Sequence, residues 1–328
     1  MRRSKLLVLL TVDTEIWPFT PNWRERGLEE EVARYIDGVT ESGSFGVPYQ
    51  LERLSRSGLK GVFFVESLFM CEVGPAILRR IVSMVQERGH DVELHLHTEW
   101  LARMSRSILP GRTGQNMRQF TEAEQTTLIA RGLENLRACG AGPVSAFRAG
   151  NFGANHDTLR AVARNGIPID TSLNASCLRL ECDLATSEPV YQPGRMGGVY
   201  EFPVTNFRDF PGHFRPAQLC AASSSEMERM LEQAWERGWH SFVWVSHGFE
   251  LLKRRIRPGR PSLADRIAVR RFDRLCDFLA ANRDRFQTVG FGDIDLEAIP
   301  GEQPRQPLRS GLARTAARFA EQALSQII

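Results

Sequence analysis

The stretch GHDVELHLHTEW, residues 89–100, sets two imidazoles and two carboxylates within the seven positions from Glu93 to Glu99. His95 and His97 are two apart and would share one face of a strand, with Glu99 four residues after His95. Imidazole and carboxylate are ordinary ligands for zinc and similar divalent ions. The chemistry on offer is therefore metal binding, and the plainer alternative is a polar strand end meeting water. Four other segments place acid–base groups directly after apolar runs: Asp13 and Glu15 in LLVLLTVDTE, Arg148 in FRAGNFG, Asp170 in GIPIDTS and His247 in VWVSHG. Each has a structural reading of its own. Asp13 and Asp170 can cap turns, Arg148 can be an ion-pair partner, and His247 can be a satisfied buried histidine. Five strand ends with the same character are hard to explain that way. Together they put titratable groups and a metal-ligand cluster at several strand ends, the places where an active site can be built.

Short apolar runs must carry these groups. Strands are expected at 5–12, 60–65, 91–96, 144–148, 167–170, 199–204, 241–246 and 286–291. Helical patterns lie between them at about 47–57, 74–88, 121–138, 155–165, 224–237 and 263–282, several ending at a glycine such as Gly58, Gly89 or Gly238. This alternation predicts an α/β fold with a largely parallel sheet, as a barrel or an open doubly wound sheet. In a barrel the strand ends would gather on one face, where loops build active sites. Residues 98–120 and 171–198 are long and irregular, the kind of connection that usually serves function.

Bulk properties narrow the class. The chain has 328 residues, 42% hydrophobic and 25% charged, which suits a globular protein. A net charge of +3 gives no footprint for nucleic acid, and all but three of the 42 basic residues are arginine, the exceptions being Lys5, Lys60 and Lys253. The start MRRSKLLVLLTVDTE has a basic head, but its apolar run from Leu6 to Val12 ends in acids without a small-residue cleavage site. It reads as a buried strand, and the expected location is cytoplasmic. Six cysteines lack CxxC spacing and are expected as thiols. The segment 253–271 holds eight basic residues against Asp265. It is read as a solvated loop and helix face, or as a patch for a phosphate-bearing or anionic-lipid partner. After Pro307, apolar residues at 308, 312, 316, 319, 323 and 327 form one helical stripe, with Arg309, Arg314 and Arg318 elsewhere. That predicts a helix docked by its stripe, with peripheral membrane contact through this helix and 253–271 as the alternative.

Over roughly residues 5–250 the chain resembles the polysaccharide deacetylases, metal-dependent carbohydrate esterases. TVDTE (11–15) looks like their first motif, GHDVELHLHTEW their second, FRAGNFG (147–153) their third, and GIPIDTSLN (166–174) a following Asp-containing segment. VYEFPVT (199–205) is similar to a further strand and VWVSHGFEL (243–251) to the last motif. The resemblance implies a distorted (β/α) barrel of parallel strands over residues 1–300 and a C-terminal amphipathic helix over 301–328. It implies Asp13 as general base, Arg148 as its orienting partner and His247 as general acid, with Asp170 pairing His247. Glu15, His95 and Glu99 would be metal ligands, with His97 competing for the place of Glu99. Two departures stand out: the family's second histidine, four after the first, is replaced by Glu99, and the first motif's second carboxylate lies two residues from Asp13 rather than adjacent.

The resemblance implies hydrolysis of an N-acylated, first of all N-acetylated, sugar or glycan precursor, with one divalent ion: zinc first, manganese or cobalt as alternatives. Trp17, Trp100, Asn151 and Phe152 are the candidate substrate contacts, with barrel-mouth packing as the other reading of the aromatics. Two further functional readings remain at this stage. One is a non-catalytic carbohydrate-binding relative; the other is a C–N hydrolase acting on a non-sugar amide.

Overall fold

The computed structural model describes every residue except 1–3, 27, 185, 187, 188, 254–261, 302–305 and 328, and only the backbone of 323–327. In chain order the strands are β1 (Leu6–Thr14), the hairpin β2 (Val39–Thr40) and β3 (Gly43–Ser44), β4 (Gly61–Glu66), β5 (Asp91–Leu96), β6 (Ala146–Ala149) and β7 (Ile169–Asp170). They continue as β8 (Gly194–Met196), β9 (Val199–Glu201), β10 (Asn206–Phe210), β11 (His213–Pro216), β12 (Ser241–His247), β13 (Phe286–Thr288) and β14 (Leu308–Arg309). The main sheet runs β12-β1-β4-β5-β6-β7-β9-β8, with β13 also on β1. Its pairings are parallel except β8 with β9.

This sheet curls into a distorted (β/α) barrel, the arrangement that the family resemblance implies and one of the two that the alternation allows. Irregular backbone rather than a strand pair bridges the gap between β9 and β12. Thr205 N donates to Val243 O at 3.1 Å, Val245 N donates to Ala217 O at 3.0 Å, and Leu219 N donates to Val245 O at 3.1 Å. The small β11-β10-β14 sheet flanks that closure.

Period-two alternation decides what the barrel encloses. Leu9, Val62, Phe64, Ala146, Ile169, Phe202 and Val243 fill the interior, plugged by Phe291 at 5.8 Å from Phe64 and 5.6 Å from Phe202. The alternate residues Val8, Leu10, Val12, Leu94, Leu96 and Phe147 face the outer helices in a second, larger core. Those helices are Val47–Arg56, Ala76–Gln86, Glu122–Ala138, His156–Arg164, Ser224–Glu236 and Arg266–Ala281, close to their expected positions. Thr121 with Glu124, and Ser223 with Glu226, start two of them with capping boxes, each cap stabilising by about 1 kcal/mol. The expected strand at 286–291 stops at Thr288, because Phe291 turns inward as the plug.

The C-terminal helix, Leu312–Ile327, corrects the sequence reading of its docked face. Thr315 and Arg318 are buried, whereas Leu312 and Phe319 of the apolar stripe are 76% and 51% exposed. Arg318 reaches Asp209 at 2.7 Å and Glu226 at 3.0 Å, all three side chains excluded from water. None of the six cysteines forms a disulfide, and among the described residues no helix is long and apolar enough to cross a membrane. Residues 254–261 of the basic segment lie outside the described residues; Asp265 caps the helix that follows them.

Candidate active site

Inner-face positions turn polar at the C-terminal ends of the strands. On β1, Thr11 and Asp13 follow Leu9 on the same face; on β5, His95 follows Glu93 and His97 comes next in the alternation. Registers Asp13↔His247 and His95↔Arg148 set these groups side by side. Asp13, Glu15, His95, His97 and Arg148 are all buried, and His247 is partly open to the cleft.

Glu15, His95 and His97 form a cluster whose candidate ligand atoms all lie within 4.8 Å of one another. His95 Nδ1 bonds the Arg148 carbonyl at 2.9 Å, which leaves Nε2 bare for a ligand. His97 Nε2 is 2.5 Å from Glu15 Oε2, and its Nδ1 is 3.3 Å from Glu99 Oε2. The Glu15 contact pairs a buried carboxylate with a buried imidazole. Burial would raise the Glu15 carboxyl, but the charges of His97, His247 and His95 outweigh it and hold it well below the usual carboxylate range. Burial alone would lower His97, yet Glu15 and Glu99 push it up to about 10. Burial dominates at His95, which falls to about 4. A buried carboxylate held against one imidazole, beside a second imidazole that stays unprotonated, makes a donor set that fits a divalent cation.

Glu99 does not join that set. After Leu96 the backbone leaves strand geometry for a 3-10 turn, Thr98–Arg103, so the spacing of four no longer returns Glu99 to the inner face. Glu99 instead stands behind His97, held by Asn151 Nδ2 at 2.8 Å.

Arg148 Nη1 donates to Asp13 Oδ1 at 2.5 Å and to Thr11 Oγ1 at 2.9 Å, and its guanidinium lies 4.3 Å over the Phe64 ring. His247 faces two carboxylates, with Nε2 3.9 Å from Glu15 Oε1 and Nδ1 3.7 Å from Glu250 Oε2. Burial would lower His247, but Glu250 first, then Asp13 and Glu15, raise it to about 9.

Asp170 departs from its expected role beside His247. It aligns with Phe147, an outer-face residue, and bonds Ser172 N at 2.8 Å and the carboxyl of Glu201. Burial raises both carboxyls of that pair, so they share a proton. Trp100 is fully buried against Phe69, Trp23 and Trp17, out of a substrate's reach. Trp17 remains at the cleft, edge-on to His97 at 4.7 Å, and Phe152 lies 5.9 Å from the Arg148 guanidinium. Asn151 serves to tether Glu99.

Two acids escaped the sequence reading. Glu250 follows His247 by three residues and takes the place intended for Asp170. Glu66 ends β4 opposite His95, bonds Leu68 N and Phe69 N at 2.8 and 3.2 Å, and is raised by burial to about 7. Its signal, an acid directly after GVFFV, was the same one that marked Asp13.

No protein-family model matches the sequence, and no curated protein matches it significantly. Solved structures do match. A provisionally named polysaccharide deacetylase from Mycobacterium smegmatis superposes with a TM-score of 0.52 at 18% identity, covering 95% of this chain and 96% of that one. A family 4 carbohydrate esterase from Streptomyces lividans, in complex with acetate, gives 0.42 at 12% identity over 89% and 96%. A family 4 pseudoenzyme from Bacillus anthracis gives 0.41 at 11% identity over 94% and 71%. The resemblance to polysaccharide deacetylases read from the sequence motifs thus extends to the fold of nearly the whole chain.

Proposed function

We propose that this protein is a metal-dependent amide hydrolase that removes an acyl group, acetyl first, from an N-acylated sugar or glycan precursor. The observation that carries the reading is the convergence of Glu15, His95 and His97 beside the Asp13–Arg148 pair and an independent imidazole, His247. A divalent ion held by Glu15, His95 and His97 would supply Lewis acidity that brings water toward ionisation at neutral pH. Two imidazoles and one carboxylate make a softer set than the sequence suggests with Glu99 included, and it favours zinc over manganese.

Asp13 takes the proton of the attacking water. Arg148, locked between Asp13, Thr11 and the Phe64 ring, fixes the direction of that carboxylate. His247, facing Glu250, protonates the departing amine, which leaves poorly without that proton. Trp17 and Phe152 are the aromatic surfaces offered to a sugar ring.

The test is elemental analysis followed by acetate release from N-acetylglucosamine oligomers. Wild-type protein should carry about one metal per chain, lost in Glu15→Ala and His95→Ala, and release acetate. A chain that takes up no zinc, cobalt or manganese would end the proposal.

A further inference from the structure

A cavity of about 510 Å3 opens beside His247. Its wall carries a relay of aromatic contacts, His247 to Phe249 at 5.3 Å and Phe249 to Tyr35 at 5.3 Å, with Phe19 behind the wall at 6.0 Å from Tyr35. Arg34 stands at the end of the relay, its guanidinium 4.1 Å from the Phe19 ring centroid. It sits in a π-helical turn, Val32–Ile36, and is 8% exposed.

The cavity holds cationic side chains whose hydrogen bonds are incomplete. Arg34 Nη1 is buried with no hydrogen-bond partner, and no carboxylate among the described residues forms an ion pair with Arg34. Glu30 and Glu31 act on Arg34 only from a distance, their oxygens being held by Arg26 at 2.5 Å and by Phe19 N and Thr20 N at 3.1 and 2.8 Å. Of the acids lining the cavity, Glu250 faces the His247 imidazole at 3.7 Å and Asp265 caps the following helix through Ile267 N and Ala268 N. Arg271, on the same cavity, pairs with Glu321 but leaves its buried Nε without a partner. Lys253 adds a further cation to the lining. A buried guanidinium N–H without an acceptor is costly, and a fork of N–H donors suits carboxylate and phosphate oxygens.

We propose that this cavity binds an anionic substituent of the substrate, a phosphate or a carboxylate, on Arg34. The proposal deepens the deacetylase reading and rests on it for the sugar, while the anion site itself stands on the cavity. The substrate class becomes an N-acylated sugar that also carries a negative charge, with the aromatic wall spanning from that charge to the proton donor.

Calorimetric titration of the full, zinc-loaded chain with glucosamine, glucosamine 6-phosphate and glucuronic acid tests it without requiring turnover. One of the anionic sugars should bind about 10- to 100-fold more tightly than glucosamine, and which one identifies the anion. Arg34→Gln should bring it down to the glucosamine level, and Arg34→Lys should keep part of the preference, with circular dichroism unchanged in both. Equal affinities, no binding of either anionic sugar, or a preference that survives Arg34→Gln because the anion sits on the metal would each overturn it. Preference for the anion without acetate release from any N-acetyl sugar would sink the deacetylase reading and leave the anion site standing.

Discussion

Glu93 lies one inner-face step below His95, in register with Phe64 and surrounded by the apolar barrel interior. It is 2% exposed, and its Oε2 accepts from Ser145 N at 2.7 Å and Ala146 N at 2.8 Å. Burial raises it from an ordinary 4.5 to about 8, the two backbone donors offsetting only part of that. The folded state therefore holds this proton at pH 7 and the unfolded chain does not. Below pH 4.5 both states are protonated and the residue imposes no cost; as pH rises toward 8, stability is lost at about 1.4 kcal/mol per unit. At pH 7 the cost reaches about 3 kcal/mol. Glu93→Gln keeps the shape and an acceptor for both amides without the titration. Urea denaturation between pH 4 and 8 should show the variant matching wild type at the acid end and more stable by up to about 3 kcal/mol at pH 7. An ionised Glu93 would give the opposite sign, because two charge-assisted bonds would be weakened at a cost of about 2 kcal/mol. A variant destabilised at pH 7, or a difference that does not grow with pH, refutes the reasoning.

Glu99→Gln removes the charge behind His97 without touching the three ligands, so chelator competition should show metal affinity falling about 10- to 100-fold. An unchanged affinity would show that Glu99 does not tune the site. Glu250 is the largest of the partners that raise His247 to about 9. In Glu250→Gln the proton is lost at lower pH, so the alkaline limb of kcat for acetate release should move down, and a fixed limb would deny His247 the acid role. Arg318→Met leaves Asp209 and Glu226 buried without their shared cation, a loss of about 3–5 kcal/mol. Hydrogen exchange of residues 312–322 should accelerate with it; unaltered exchange would mean that other contacts hold the helix.

Strand ends were legible because a strand carries its own register. Once LLVLLTV is a strand, period two puts Asp13 above Thr11 and Leu9, and DVELHLH puts His95 and His97 together. The alternation of apolar runs and capped helices gives the parallel α/β class and leaves barrel and open sheet both possible; the motif resemblance is what points to the barrel. Legibility ended where that period did. Glu99 was misplaced because a 3-10 turn begins at Thr98. Asp170 was misplaced by parity: its neighbour Ile169 faces the barrel, so Asp170 faces outward to Glu201, 31 positions on. Arg34 gave no signal at all, because a single π turn has no apolar rhythm to reveal which way a side chain points.

The C-terminal helix failed for a different reason, since its pattern was regular and still misled. A hydrophobic stripe predicts the docked face only when the docking surface is itself apolar. Here the surface offers Asp209 and Glu226, 109 and 92 positions from Arg318, each already holding part of the closure between β9 and β12. Asp209 ties Arg215 and His213 of β11, and Glu226 caps the helix Ser224–Glu236 through Ser223. Glu226, whose ion pair is with Arg318, demands a cation more strongly than Leu312 and Phe319 demand cover: leaving a buried charge unpaired costs several kcal/mol, while exposing those two side chains forgoes about 2–3 kcal/mol each at most. The helix therefore rotates its polar edge inward. The same comparison of costs explains the active-site end of the barrel, where Arg148 is buried for Asp13.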